Sequence, residues 1–174
     1  MRSLVAKNDY PLLLNTLMGI QLGFITKQTS VLVLCGDKSS GNSLLKIIKK
    51  IRPGPAFPVS ALRNRYNDTG MPELALFDNS IVYCSIENDK QVEELDDAIN
   101  KPMIYRDISS TDYIMIEKPA TVITAVEKLD VLILKNIHPR RPMVIHLSNQ
   151  LDYKEYMIDM CVDDFNEHLA SCLQ

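Results

Sequence analysis

The chain has 174 residues, 46% hydrophobic and 24% charged, which suits one soluble globular domain with a real core. No apolar run of roughly eighteen residues occurs, which excludes a membrane-spanning helix. The net charge of −3 hides an asymmetry: residues 1–70 carry ten Lys/Arg against three Asp/Glu, and residues 71–174 carry nine against nineteen. Two readings of that asymmetry stand, a nucleic-acid face in the first half or charges that neutralise one another on folding.

The opening MRSLVAKNDY has one early Arg but neither a long apolar core nor a small-residue cleavage site, so no signal peptide is expected. Cys35, Cys84, Cys161 and Cys172 form no C-x-x-C pair, and two of them lie in apolar runs. Reduced, buried thiols in an intracellular protein are therefore expected.

Asp9 is placed to cap a helix with Pro11 in its first turn, and Leu13, Leu14, Leu17 and Met18 give that helix one apolar face. Gly19 and Gly23 weaken its end. Val31–Cys35 is short, apolar and β-branched, as in a buried parallel strand. Leu44, Leu45, Ile47, Ile48 and Ile51 then follow helical spacing, with Lys46, Lys49 and Lys50 on the other face, until Arg52-Pro53-Gly54-Pro55 stops the helix. Residues 52–72 read as surface loop, with one short strand near Phe57–Ala61.

Ile81–Ile86 is a second buried strand, followed by Glu87-Asn88-Asp89. Asn88 or Asp89 caps the next helix, whose stripe is Val92, Leu95 and Ile99. Met103–Ile108 and Tyr113–Ile116 flank the polar turn Ser109-Ser110-Thr111-Asp112 and read as a hairpin. Thr121–Val126 and Met143–Leu147 are further strands. Tyr153, Tyr156, Met157, Met160, Cys161 and Phe165 are expected to share the apolar face of a C-terminal helix. Strands alternating with helices predict an α/β fold with a central, mostly parallel sheet flanked by helices. Ligands of such sheets sit beyond the carboxyl ends of the strands, where Gly36–Ser43 and Glu87–Asp89 fall.

The segment VLVLCGDKSSGNS, residues 31–43, has the grammar of a phosphate-binding loop: a strand, then G-x-x-x-x-G-K-[ST], then a helix. Every element is present except the lysine, where Asn42 stands. Gly36, Lys38, Ser40, Gly41, Asn42 and Ser43 are the candidate nucleotide contacts. Ser43 offers the hydroxyl for Mg²⁺, or is simply an N-terminal helix residue. Glu87 ends an apolar strand as a metal-holding acid should, or complements a helix N-terminus. Arg140 and Arg141 are candidates to stabilise transition-state charge, or form a solvated basic pair. Lys38 lies inside the loop, but its anchor is wrong for the usual path of the missing lysine. His138, His146 and His168 lack ligand spacing, so no zinc site follows.

Over about Leu12–Leu151 the sequence resembles the viral superfamily 3 helicases, in particular the primase-helicase branch of poxviruses, other large DNA viruses and phages. The residues that carry the resemblance are LMGIQLGFITKQTSVLVLCGDKSSGNSLL with Gly23-Phe24, Pro72-Glu73-Leu74-Ala75 ahead of SIVYCSIEND, the helix and hairpin at 89–116, the strand TVITAV, and HPRRPMVIHL. The resemblance implies one P-loop NTPase-like (AAA+-type) domain over residues 1–174, of which 152–174 is a C-terminal helix. It implies ATP and Mg²⁺ as cofactors, and single-stranded DNA gripped near the hairpin, here by Arg106 and Lys118. It implies a hexameric ring in which Arg140 or Arg141 meets the neighbour's nucleotide. The departures from the family fall on its chemistry: Asn42 for the lysine, Asn88 for the second acid, Ala125 or Val126 for the sensor Asn, and a hairpin turn without Lys or Arg. The upstream primase and most of the helical collar have no counterpart in these residues.

Loss of the lysine removes a charge-assisted contact of about 1.5–3 kcal/mol. The expected function is thus a degenerate helicase-like domain with weak or absent ATP hydrolysis and an accessory role in viral DNA replication, alone or with another replication protein. It is expected in host cytoplasm or nucleus, away from membranes. Two alternatives remain: an active ATP-dependent helicase in which Lys38 or a neighbouring subunit supplies the charge, and an interaction module that binds neither nucleotide nor DNA. A nucleotide kinase ranks below these, because no arginine-rich lid is visible.

Overall fold

The computed structural model describes residues 1–22, 30–59, 81–100, 103–106, 113–116, 121–127, 143–148 and 151–173. After a 3₁₀ turn at Arg2–Leu4 come α1 (Tyr10–Gln21), β1 (Ser30–Cys35), α2 (Lys38–Ile51), β2 (Ala56–Pro58), β3 (Ile81–Ser85), α3 (Asp89–Asn100), β4 (Met103–Arg106), β5 (Tyr113–Ile116), β6 (Thr121–Val126), β7 (Met143–His146) and α4 (Glu155–Cys172). Five strands form a wholly parallel sheet in the order β2-β3-β6-β1-β7. From β1 the chain leaves for the far edge, returns through β3 and β6, and crosses β1 to β7. The order therefore reverses at β1, which opens a crevice at the strand carboxyl ends. β4 and β5 pair antiparallel as the expected hairpin, with Arg106 opposite Tyr113.

The two-residue period of the strands divides the core. Leu32, Leu34, Ile81, Tyr83, Ile123 and Ile145 face α1, α2 and α4, meeting Leu13, Leu17, Leu44, Ile47, Ile48, Ile158 and Phe165. Val31, Val33, Val82, Cys84, Val122 and Val126 face the other way, onto Val92 and Leu95 of α3. The aliphatic stripe of α2 is buried as its spacing predicts, while Lys46, Lys49 and Lys50 stay exposed. Lys49 Nζ lies 4.9 Å from the centre of the Tyr83 ring. Lys50 pairs with Glu155 and, at 2.7 Å, with Asp159, tying α2 to α4.

Three expectations change. α1 runs through Gly19 to Gln21, and Asp9 stands at its N-cap without capping it. The Asp9 carboxylate instead accepts from the His146 amide at 2.8 Å and lies 2.7 Å from the His146 ring. α4 does not bury the whole predicted face: Ile158, Cys161 and Phe165 point inward, whereas Tyr156 and Met160 are 61% and 60% exposed. The short strand lies at Ala56–Pro58, slightly ahead of its predicted place. All four cysteines are free.

Candidate functional site

The glycine-flanked segment bridges β1 and α2, as its grammar requires, but its shape is not that of an open loop. Only Gly36 and Asp37 separate strand from helix, and α2 begins at Lys38. Gly36 has φ +147°, and a Cβ there would stand 2.8 Å from the Leu147 Cβ. Glycine is thus required twice over, for the backbone angle and for the approach of Leu147. Asp37 caps α2: its Oδ1 accepts the Ser39 N–H at 2.9 Å and the Ser40 N–H at 3.1 Å. A phosphate at this helix end would seek such amides. Here a carboxylate from the chain itself holds them.

Gly41, Ser40 and Ser43 of the motif are also engaged within the fold. Gly41 brings α2 close to β6, since a Cβ at that position would lie 3.3 Å from Ala125 Cβ. Ser40 and Ser43 are 0% and 1% exposed. The Ser40 hydroxyl accepts the Leu151 N–H, and the Ser43 hydroxyl accepts the Tyr153 N–H, both at 2.9 Å. These two serines therefore anchor the chain that leads into α4. The Ser43 hydroxyl, the candidate metal ligand, faces that chain.

Beside the turn lies a cleft of about 650 Å³ at the ends of β1, β3 and β6. Gly36, Asp37, Lys38, Gly41 and Asn42 line one side, Ser85–Asn88 the second, and Ala125–Glu127 the third. The structure thus brings Glu87 to the same cleft as Lys38 and Asn42, all three of them exposed. Glu87 is held in a reciprocal cap of α3: Asn88 Oδ1 accepts the Gln91 N–H at 3.1 Å, and Gln91 Oε1 accepts the Glu87 N–H at 2.6 Å. Cys84 lies at the cleft, where burial pushes its thiol up to about 12, so the sulfur is a neutral, poor nucleophile at pH 7.

Among the described residues that line this space, Asp37, Glu87 and Glu127 are acidic and Lys38 is basic. Among the described residues no group of three His, Cys, Asp or Glu is arranged to hold a metal ion. As arranged, the Ser39 and Ser40 amides and the Ser43 hydroxyl are each taken by a partner within the chain.

Glu127 and the capping role of Asp37 were missed by sequence reasoning. Both had a signal: Glu127 ends an apolar strand just as Glu87 does, and Asp37 stands ahead of Ser39-Ser40 at a helix start. Thr124, beside the expected sensor position, is wholly buried on the valine face, and its Oγ1 has no hydrogen-bond partner among the described residues. Arg106 lies in β4, opposite Tyr113. Lys118, Arg140 and Arg141 lie outside the described residues, as do Gly23-Phe24, Pro72–Ala75 and the hairpin turn.

A parallel five-stranded sheet, a glycine turn from its inner strand β1 into a flanking helix, and an acid-tipped strand at the same crevice define an α/β P-loop NTPase-like fold. The chain is similar in fold to the apo structure of the NrS-1 C-terminal region (305–718), with a TM-score of 0.57 and 14% identity over 97% of this chain. A second structure of that region, the A form, gives 0.57 and 15% over 94% of this chain and 40% of the other. A JCV helicase structure aligns at a TM-score of 0.42, with 11% identity over 91% of this chain and 46% of that one. At these identities the likeness is one of fold. The chain spans about two-fifths of the NrS-1 region it matches, 42% of its length. No protein-family model matches the sequence, and no curated protein does.

Proposed function

We propose that residues 1–174 form a degenerate viral superfamily 3 helicase-like domain with an accessory role in viral DNA replication and weak or absent ATP hydrolysis. The observation that carries this reading is the Asp37 carboxylate on the Ser39 and Ser40 amides, next to a position where Asn42 replaces the motif's lysine. The domain would act through DNA, through a ring of its own copies or through another replication protein, inside the infected cell. Support for the helicase reading is the sequence order of glycine turn, acid-tipped strand, helix, hairpin and further strand, which runs as the resemblance implies.

ATP turnover measured by phosphate release tests the proposal. The wild type is expected to release no more phosphate than Glu87→Gln. Asn42→Lys alone is expected to leave turnover at that background, because Asp37 still holds the amides. Asp37→Gly with Asn42→Lys is expected to gain binding of a fluorescent ADP. Robust wild-type hydrolysis, lost in Lys38→Ala and Glu87→Gln, would overturn the reading in favour of an active NTPase; Lys38 at the cleft is the observation that favours this second possibility. No binding of ATP·Mg²⁺ together with no salt-dependent binding of single-stranded DNA would leave a pure interaction module.

A further inference from the structure

α4 carries five acidic residues and no Lys or Arg. Two of the acids, Glu155 and Asp159, are taken by Lys50 on one flank. Among the described residues Asp163, Asp164 and Glu167 have no ion-pair partner. With about 3.6 residues per turn, these three share one face with Tyr156 and Met160. That face is therefore apolar over its first two turns and acidic over the next two. Its apolar part is unusual, since Tyr156 and Met160 are 61% and 60% exposed.

Beside this face a groove of about 620 Å³ runs between α4 and the N-terminal segment with α1. Leu14, Met157, Met160 and Phe165 make its apolar wall, Asp164 and His168 stand along it, and Arg2 lines it from the N-terminal segment, so the acidic surplus lies on the outer face of α4. Methionine walls adapt to the shape of an incoming side chain.

We propose that the outer face of α4 and this groove dock a basic amphipathic helix of a partner protein. One of its bulky apolar side chains enters between Leu14 and Met160, and Lys or Arg one or two turns along meets Asp163, Asp164 and Glu167. Charge complementarity selects this occupant. A second copy meeting the same face about a two-fold axis would oppose these carboxylates to one another, and a nucleic acid would be repelled by them. The proposal uses no residue of the strand-end cleft, so its failure leaves the reading of that cleft standing.

The test uses the full chain and a fluorescein-labelled, roughly eighteen-residue amphipathic helical peptide of Leu and Lys, with a Leu and Glu peptide of the same pattern as comparator. Binding is read by fluorescence anisotropy at low and at physiological salt. The Leu/Lys peptide is expected to bind and the Leu/Glu peptide not. Met160→Ser should weaken binding by about five-fold or more with the salt dependence unchanged. Asp163→Asn with Asp164→Asn and Glu167→Gln should weaken it about ten-fold and flatten the salt dependence. Glu93→Gln, an exposed acid on α3, should leave affinity unchanged and so controls for bulk charge. All substituted positions are exposed, so unchanged thermal melts confirm that the variants fold.

Equal binding of both peptides, no effect of the α4 variants, or an equal effect of Glu93→Gln would overturn the proposal. So would a concentration-dependent dimer mass in sedimentation that Met160→Ser abolishes, which would assign the face to a second copy.

Discussion

Gly36 shows how tightly the surroundings of a motif residue can fix its identity. Its φ of +147° and the 2.8 Å approach of Leu147 to a virtual Cβ leave no room for alanine. Backbone strain of this kind costs about 1–3 kcal/mol, before any displacement of the β7 end is counted. Gly36→Ala is therefore expected to lower the urea midpoint by that free energy divided by the m-value, with the m-value itself unchanged. A midpoint equal to wild type would remove the close-approach account. At the same scale the sequence leaves the shape of the loop open. The spacing of Gly36 and Gly41 is shared by a phosphate cradle and by a capped helix packed tightly on a strand. Asp37, which the motif allows as any residue, is what decides between the two shapes.

At the scale of elements, the N-terminal half of α2 is a clamp on α4. The Ser43 hydroxyl satisfies the Tyr153 amide, and Ser40 satisfies that of Leu151. Ser43→Ala would leave a buried N–H without a partner, at a cost of about 1–3 kcal/mol. Hydrogen exchange should report this locally: amides of 155–172 should lose protection ahead of the β1 and β6 amides. Uniform loss across the sheet would instead mean that the clamp is part of global stability. The strands and the α2 stripe were legible because a short apolar run or a 3.6-residue period has few alternatives. The exposed side of α4 was not legible: Tyr156 and Met160 fit an apolar face by composition, and only packing onto α2 and the core around it selects Ile158, Cys161 and Phe165 instead. At the site, the meeting of Glu87 with the glycine turn was readable from strand ends. The occupation of the serines was not, because their partners lie 110 and 111 residues away.

For the whole molecule, acid resistance depends in part on Asp9. Burial pushes its pKa up, but hydrogen bonds from the His146 amide and ring, with the ring's charge, outweigh that and hold it below 3.8. A depressed carboxylate stabilises the fold above its unfolded value and loses that contribution as pH falls through its folded value. Asp9→Asn should accordingly lower the thermal midpoint at neutral pH, and the gap from wild type should close as pH drops below about 3.8. A gap that persists undiminished in strong acid would show that shape, not charge, fixes this contact.

That contact belongs to a longer seam. Ala6 N–H donates to His146 O at 2.8 Å, Ser148 N–H donates to Leu4 O at 3.1 Å, and Val5 bridges Leu147 in antiparallel fashion. The leading residues thus hem the outer border of β7, whose donors and acceptors would otherwise offer a template to any passing strand. Proteolytic clipping at the front of the chain would do more than shorten it. It would strip that border and leave the edge open to pairing with a strand of another chain.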